Sequence, residues 1–210
     1  MMIKTHIVGG DRLGTEKFLK STGKFELTDP VQAELYVYTG GEDIGSSLYG
    51  ENPVYSYSGS VCYRDPMEVK AFQYGKEKGK YHFGICRGHQ LLWVLTGGKL
   101  WQHIQGHGAE PEHHRMILRG KGRVITGVTS YHHQAARVYA AAENAKILGV
   151  VKEPQGVDVF AEGTRSTVYE IVEAFYDPEA RTFGVQGHPE FGGASGEFQK
   201  YVVNHILETI

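Results

Sequence analysis

The segment most able to do chemistry is a cysteine flanked by glycines, Gly84-Ile85-Cys86-Arg87-Gly88, where an apolar run gives way to a helix-like run. This layout predicts a nucleophile elbow with cysteine in place of serine, because glycine allows the close backbone approach of a sharp strand-to-helix turn. The turn would place the sulfur at a helix N-terminus, where unpaired N–H groups favour the nucleophilic thiolate. We therefore predict that Cys86 is a catalytic nucleophile.

A histidine and a carboxylate stand two positions apart near the end of the chain, in Gly187-His188-Pro189-Glu190. Side chains two apart in an extended segment point the same way, so His188 and Glu190 can face one target while Pro189 stiffens the spacing. A cysteine activated by a histidine that a third group orients is the general form of a catalytic triad. The predicted triad is Cys86, His188 and Glu190.

Acyl transfer through such a triad also needs hydrogen-bond donors aimed at the developing oxyanion. The backbone N–H of Arg87, directly after the nucleophile, is one predicted donor. Gly41 follows the apolar run Leu35–Tyr38, and a glycine there lets the backbone approach a substrate closely. These two N–H groups form the predicted oxyanion hole.

The elements that must position these residues follow an α/β pattern. In the first half we predict strands at Ile3–Val8, Leu35–Tyr38 and Tyr81–Ile85, and helices at Arg12–Thr22 and from Asp65 to about Lys78. In the second half we predict short strands at Met116–Leu118, Arg123–Ile125, Ile147–Val151, Val157–Ala161, Val168–Phe175 and Thr182–Gln186, followed by an amphipathic helix. Cys86 then lies at the carboxyl end of a strand, where open α/β sheets bind ligands.

The segment Arg64-Asp65-Pro66-Met67-Glu68 is interpreted as a helix start rather than as catalytic machinery. Asp65 is the expected N-cap, Pro66 the first helical residue and Glu68 the capping glutamate.

Composition narrows the function classes. The 210 residues fit one domain, residues 1–210, and the formal net charge of −2 gives no electrostatic reason to expect nucleic acid or a membrane as partner. Two cysteines are too few for a disulfide framework, and no signal peptide or membrane-spanning run is evident, so a cytoplasmic location is expected. The 11 histidines include His103/His107 at i, i+4 and doublets at 113–114 and 132–133. Because no H-E-x-x-H or Cys-x-x-Cys pattern accompanies them, we predict no metal site and no cofactor.

Five motifs in order resemble the class I glutamine amidotransferase-like proteins, and within them the γ-glutamyl hydrolase-like branch. Thr39–Glu51 is similar to G-G-x-D…Y-G-E, Arg64–Glu68 to R-D-x-x-E, the elbow block through Gln102 to its counterpart, Thr129–Ala135 to S-x-H-H-Q, and Gly184–Glu190 to G-V-Q-x-H-P-E. The chain departs from the branch at Glu42, Gly45, Ser46 and Gly187. Those departures lie in expected pocket segments and concern substrate identity more than chemistry.

The resemblance implies a flavodoxin-like fold with a mostly parallel sheet flanked by helices, to which this chain adds a strand-rich second half. It implies hydrolysis of a γ-glutamyl amide through a glutamyl thioester. It also implies that Gly40, Gln90, His132, His133 and Gln134 form the pocket for the glutamyl group.

Three functions stay open. The first, which we expect, is a glutamine amidotransferase that delivers ammonia to a synthetase on another chain, since no Walker-type nucleotide motif is present. The second is a stand-alone γ-glutamyl hydrolase acting on γ-glutamyl peptides, polyamines or related amides, which Tyr49-Gly50-Glu51 and the His132–Gln134 motif favour. The third is a binding module without turnover, against which the complete triad argues.

Overall fold

A large mixed β-sheet with helices on both faces organises the chain. The computed structural model describes residues 1–10, 12–54, 62–105, 112–120, 122–138 and 143–210. The helices are α1 (Arg12–Ser21), α2 (Asp65–Glu77), α3 (Arg87–Leu95) and α4 (Gly196–Thr209), with a short 3-10 helix at Ser46–Tyr49. The strands are β1 (Ile3–Val8), β2 (Phe25–Leu27), β3 (Leu35–Tyr38), β4 (Tyr81–Ile85), β5 (Leu100–Trp101), β6 (His103–Ile104), β7 (Glu112–Leu118), β8 (Val124–Ser130), β9 (Ala135–Ala136), β10 (Lys146–Ala161), β11 (Thr164–Asp177) and β12 (Thr182–Val185).

The first part of the sheet is parallel. Its strand order is β2-β1-β3-β4-β12, and each neighbouring pair runs parallel. This is the 2-1-3-4-5 order of flavodoxin-like folds, with β12 in the fifth place. The predicted fold class is confirmed.

The strand-rich second half continues the same sheet as an antiparallel extension. From β12 the order runs on through β11, β10, β7 and β8, with β6 pairing to β10. The two predicted strands at Ile147–Val151 and Val157–Ala161 are one long strand, β10, whose register shifts between Lys152 and Val157. The sequence prediction missed β2, β6 and the short pair β5–β9, because strands of two or three residues carry too little periodicity to recognise.

Alternating side chains fill both faces of the parallel strands, as expected for a sheet covered on both sides. On one face, Val37 and Phe83 belong to a core with Phe18 of α1 and Phe198 of α4. On the other face, the apolar residues of β3 pack with those of α2 and α3, among them Phe72 and Leu91. The burial of these side chains stabilises the sheet by about 25 cal/mol per Å² of apolar surface.

The predicted cap of α2 is wrong by one residue. The N-cap is Arg64, no side-chain cap hydrogen bond forms there, and Asp65 and Pro66 are the first two helical residues. Asp65 and Glu68 accept hydrogen bonds from arginine side chains instead. Charge pairing of Asp65 with Arg87, which is distant in sequence, therefore outweighs local capping of the helix.

The loops that follow β3, β4 and β12 leave the same edge of the sheet. Tyr38 of β3, Ile85 of β4 and Val185 of β12 end neighbouring parallel strands, with Ile85 directly paired to Val185. The chain beyond each strand therefore emerges at one carboxyl edge, which is where ligands bind in open α/β sheets. Among the described residues, every helix is too short or too polar to cross a lipid bilayer.

Candidate active site

The turn between β4 and α3 has the geometry of a nucleophile elbow. Cys86 has φ 51° and ψ −106°, a conformation that a non-glycine residue adopts only at an energetic cost. A Cβ on Gly84 would lie 2.6 Å from the backbone N of His89, and one on Gly88 would lie 2.7 Å from the carbonyl carbon of Tyr38. Both glycines are therefore required by close approach, as the sequence predicts. The Cys86 side chain, 5% exposed, stands at the start of α3.

His188 and Glu190 are held in hydrogen-bond contact beside Cys86. His188 Nδ1 lies 2.8 Å from Glu190 Oε1, and both side chains are more than nine-tenths buried. The imidazole stacks on the Phe191 ring, with centroids 4.0 Å apart and planes within 8°. The backbone N–H of His188 donates to Thr129 O, and Thr129 Oγ1 donates to His188 O. Ring and backbone of His188 are thus fixed independently.

The electrostatics of this group favour an imidazolium. Burial lowers the pKa of His188, but the charge of Cys86, a hydrogen bond to Cys86 and the Glu190 carboxylate together raise that pKa to about 10. Nδ1–H then donates to Glu190, and the opposite ring nitrogen faces Cys86. A cation beside a cysteine favours the thiolate, the nucleophilic form. The arrangement can therefore supply a nucleophile and a proton from adjacent atoms.

Gly40 and Gly41 continue from β3 past the same sulfur. A Cβ on Gly40 would lie 2.8 Å from Cε1 of His188 and 3.7 Å from Cβ of Cys86, so only glycine fits between them. Gly41 has φ +147° and lies beside two cavities that meet at Cys86. Arg87 is the first residue of α3, so its N–H has no partner within the helix. Both predicted oxyanion donors therefore border the nucleophile.

A buried arginine holds the glycine segment from behind. Arg64 Nη1 donates to Gly40 O at 3.0 Å, and Nη2 donates to Thr39 Oγ1 at 3.0 Å and to Glu68 Oε1 at 2.7 Å. The carbonyl of Gly40 and the N–H of Gly41 belong to one planar trans peptide and point in opposite directions. By fixing that carbonyl, Arg64 also fixes the direction of the Gly41 N–H, away from Arg64.

The same network reaches the other oxyanion donor. The guanidinium of Arg87 donates to Glu68 Oε2 and to Asp65 Oδ1, and all three side chains are buried. Asp65 also accepts from the N–H of Gly45. Burial raises the pKa of Asp65, an effect that the Gly45 N–H and the Arg87 guanidinium oppose. Sequence reasoning missed this network, although the R-D-x-x-E motif that signals it was noted.

The smaller cavity, about 220 Å³, contains most of the predicted glutamyl pocket. Its lining residues are Gly41, Asp43, Cys86, Gln90, Tyr131, His132, His133 and Gln134. Gln90 Nε2 donates to Gln134 O at 2.9 Å and to Gln186 Oε1 at 3.1 Å, which fixes the amide in the wall. The structure thus brings Gln90 and the three residues of the histidine motif together. Gly40 lies outside this cavity.

Asp43 is a pocket residue that the sequence analysis did not single out. Its Oδ1 lies 3.0 Å from Nε2 of His133, and this hydrogen bond raises the pKa of His133 although burial opposes the shift. The pocket therefore carries a carboxylate and an imidazole in contact, a pair able to recognise a charged substrate group. The fourth residue of the G-G-x-D motif was the available signal.

The larger cavity, about 390 Å³, lies on the histidine side of the sulfur. Its lining residues are Gly40, Gly41, Glu42, Cys86, Tyr131, His188, Glu190 and Phe191. Gly41, Cys86 and Tyr131 line both cavities, and the carbonyl oxygen of Tyr131 lies 4.0 Å from Cys86 Sγ. A substrate can therefore extend to both sides of the nucleophile.

The histidine pairs noted in the sequence behave differently from one another. His103 lies in β6, so the helical i, i+4 spacing with His107 does not apply, and His107 is outside the described residues. His103 Nδ1 lies 3.4 Å from Nδ1 of His133. His114 and His132 come together in the interior with the buried carboxylate of Glu173.

The chain is similar to known proteins in sequence and in fold. Residues 33–190 match the sequence model of the Peptidase C26 family. The glutamine amidotransferase-like protein YvdE of Lactococcus lactis is 30% identical over 182 residues, covering 79% of this chain and 70% of that protein. Protein NtpR of Enterococcus hirae is 30% identical over 195 residues, covering 84% and 75%. In the structure of PurLQS from Thermotoga maritima, one chain superposes with a TM-score of 0.66 at 18% identity and 99% coverage of both chains.

Proposed function

The chain belongs to the Peptidase C26 family of class I glutamine amidotransferase-like proteins, and we propose that it hydrolyses a γ-glutamyl amide through a Cys86–His188–Glu190 triad. The observation that carries this proposal is the contact set at the sheet edge. A strained cysteine elbow, an imidazolium held by a buried carboxylate and two backbone donors border the same point. This is the arrangement that cysteine acyl transfer requires.

In the first step, the Cys86 thiolate attacks the γ-carbonyl carbon of the bound substrate. The carbonyl oxygen becomes an oxyanion, which the N–H groups of Gly41 and Arg87 stabilise. Donors that are already oriented require no reorganisation, and the loss of one such donor typically costs a factor of 10²–10³ in kcat. The buried Arg64 network supplies that orientation.

In the second step, the carbon–nitrogen bond breaks as His188 gives its proton to the departing nitrogen, leaving a glutamyl thioester on Cys86. The neutral imidazole then takes a proton from water, and the resulting hydroxide equivalent attacks the thioester. Glutamate leaves, and the thiolate and imidazolium are restored. Glu190 keeps the ring aligned through both proton transfers.

The two cavities supply sites for the two halves of the substrate. The smaller cavity, with Gln90 and the Asp43–His133 pair, accepts the glutamyl group. The cavity at His188 accepts the leaving group, because the proton donor lies in its wall.

For the physiological role, we propose a glutamine amidotransferase that delivers ammonia to a separate synthetase. Relatives described as glutamine amidotransferase-like support this role. The leaving-group cavity of about 390 Å³ favours a second candidate, a stand-alone hydrolase of γ-glutamyl peptides or amines, since ammonia needs far less space.

The deciding experiment measures ammonia and glutamate release from L-glutamine and from a panel of γ-glutamyl amides. Rapid cleavage of the amides with slow cleavage of glutamine supports the stand-alone hydrolase. Glutamine-selective but slow release supports an amidotransferase subunit that awaits its partner.

The chain provides its own matched control for the nucleophile. Cys62 is the other cysteine, also free and buried. We expect Cys86→Ala to abolish turnover and labelling by an electrophilic glutamine analogue, whereas Cys62→Ala keeps both. Turnover that survives in Cys86→Ala would show that the assigned mechanism is wrong.

A further inference from the structure

Two imidazoles and a carboxylate converge in the interior, on elements outside the triad. His114 of β7, His132 of the loop before β9 and Glu173 of β11 are all buried. One ligand atom from each lies within 4.8 Å of the other two. Glu173 Oε1 lies 3.6 Å from His114 Nδ1 and 4.0 Å from His132 Nε2, beyond hydrogen-bond distance.

We propose that His114, His132 and Glu173 bind one divalent transition-metal ion of the zinc type. Two nitrogens and a carboxylate oxygen are a common three-residue zinc ligand set, and imidazole ligands favour zinc over magnesium or calcium. Ligand atoms around a tetrahedral zinc are about 3.3 Å apart. Small inward shifts of these side chains would close the cluster around an ion.

Glu173 carries the strongest argument. Its side chain has no exposed surface, and no donor among the described residues makes a hydrogen bond to either carboxylate oxygen. A buried carboxylate with neither oxygen hydrogen-bonded destabilises the fold unless a cation compensates its charge. A metal ion between the two imidazoles would provide that compensation.

Glu173 lies at a backbone irregularity of β11. Gly149 of β10 pairs with Ala174 and Val150 with Val172, so Glu173 is the extra residue of a bulge in β11. The register between β7 and β8 also shifts after His114, and the extra residue there lies in β8. A bulge changes the direction in which a side chain points, and bulges are frequent next to functional sites, which is in keeping with a ligand role for Glu173.

His132 has the second contact typical of a metal ligand. Its Nδ1 lies 2.7 Å from the carbonyl oxygen of Gln134, so Nδ1 carries the proton and Nε2 turns toward Glu173. Ligating histidines usually donate their other N–H to a carbonyl or carboxylate in this way. Because His132 and Gln134 also line the glutamyl pocket, a bound ion would fix that wall to β7 and β11.

The test is a titration of chelator-treated protein with Zn²⁺ by isothermal calorimetry. The full chain with Cys86→Ala serves as the reference, because that change removes a thiolate–imidazole pair able to bind zinc on its own. We expect one ion per chain at micromolar affinity or better. Adding Glu173→Gln should weaken binding at least tenfold, while adding His113→Ala should leave it unchanged, since His113 is the exposed neighbour of His114 in β7.

Thermal unfolding of the same proteins with and without Zn²⁺ gives a second measurement. Zinc should raise the Tm of the reference and of the His113→Ala protein, but not of the Glu173→Gln protein. If Glu173→Gln does not unfold cooperatively, His114→Gln replaces it in both experiments. Absence of zinc binding by the reference, or equal binding by the ligand variants, overturns the proposal, and neither result depends on whether the protein hydrolyses an amide.

Discussion

Replacing Glu190 by glutamine isolates the electrostatic part of the triad. The carboxylate lies 2.8 Å from His188 Nδ1, and both side chains are more than nine-tenths buried, so water screens the pair poorly. Glutamine keeps an oxygen that can accept the same hydrogen bond but removes the charge. The ring orientation is therefore largely kept while the imidazolium loses its counter-charge.

The size of the effect follows from the pKa. An opposite charge at this separation shifts a pKa by about 1–3 units, and each unit corresponds to about 1.4 kcal/mol. We therefore expect the pKa of His188, about 10 in the parent protein, to fall in Glu190→Gln. If the same stabilisation is lost in the transition state, kcat/KM falls by a factor of roughly 10–10³, less than the complete loss expected for Cys86→Ala.

Two measurements check this reasoning, a pH titration of the His188 ring by NMR and a pH–rate profile. The control is Glu170→Gln, which removes the carboxylate of an exposed pair with Arg119 and should change neither. An unchanged pKa of His188 in Glu190→Gln would refute the electrostatic argument. A rate loss as large as that of Cys86→Ala would mean that Glu190 does more than hold and charge the ring.

The other predictions concern positioning and pH. Arg64→Met should lower kcat by roughly 10²-fold and change KM less, because the Gly40 carbonyl loses its charged donor. Steady-state kinetics measures this loss, and thermal unfolding of the same variant shows whether the fold is also destabilised. Asp43→Asn should lower the pKa of His133 and raise KM with little change in kcat, as NMR and kinetics would show. Folding raises the pKa of His188 from 6.5 to about 10. The stabilisation that the protonated ring contributes is therefore complete below pH 6.5 and is lost as the pH rises through 10. Denaturant titrations should give a lower free energy of unfolding at pH 10 than at pH 7.

The sequence was sufficient for the parts of the site that lie close together along the chain. The glycines around Cys86 predict the elbow because their small size is a local requirement of the turn. The two-residue spacing of His188 and Glu190 predicts their contact because residues this close along the chain can face one target together. The strands that carry these segments were predicted nearly to the residue, since both are short and apolar.

Contacts between distant segments were beyond the sequence. Asp65 was interpreted as a cap because a helix start explains it locally, whereas its partner Arg87 lies in the next helix. Glu173 approaches His114 from a bulge in β11, which hydrophobic alternation does not reveal. The chemistry of a site is thus easier to predict than the contacts that orient it.

The buried charges behind the oxyanion hole have a functional explanation that stability alone does not provide. Apolar side chains of similar volume are often as stabilising as a buried ion-pair network, because charges lose hydration when they are buried. Apolar residues could not, however, hold the Gly40 carbonyl at 3.0 Å and so direct the Gly41 N–H. Arg64 and Arg87 share the carboxylate of Glu68, so one acidic residue links the supports of both predicted oxyanion donors. We infer that Glu68→Gln reduces kcat by disturbing both donors together, and an unchanged kcat in a stably folded Glu68→Gln protein would show that the network serves the fold alone.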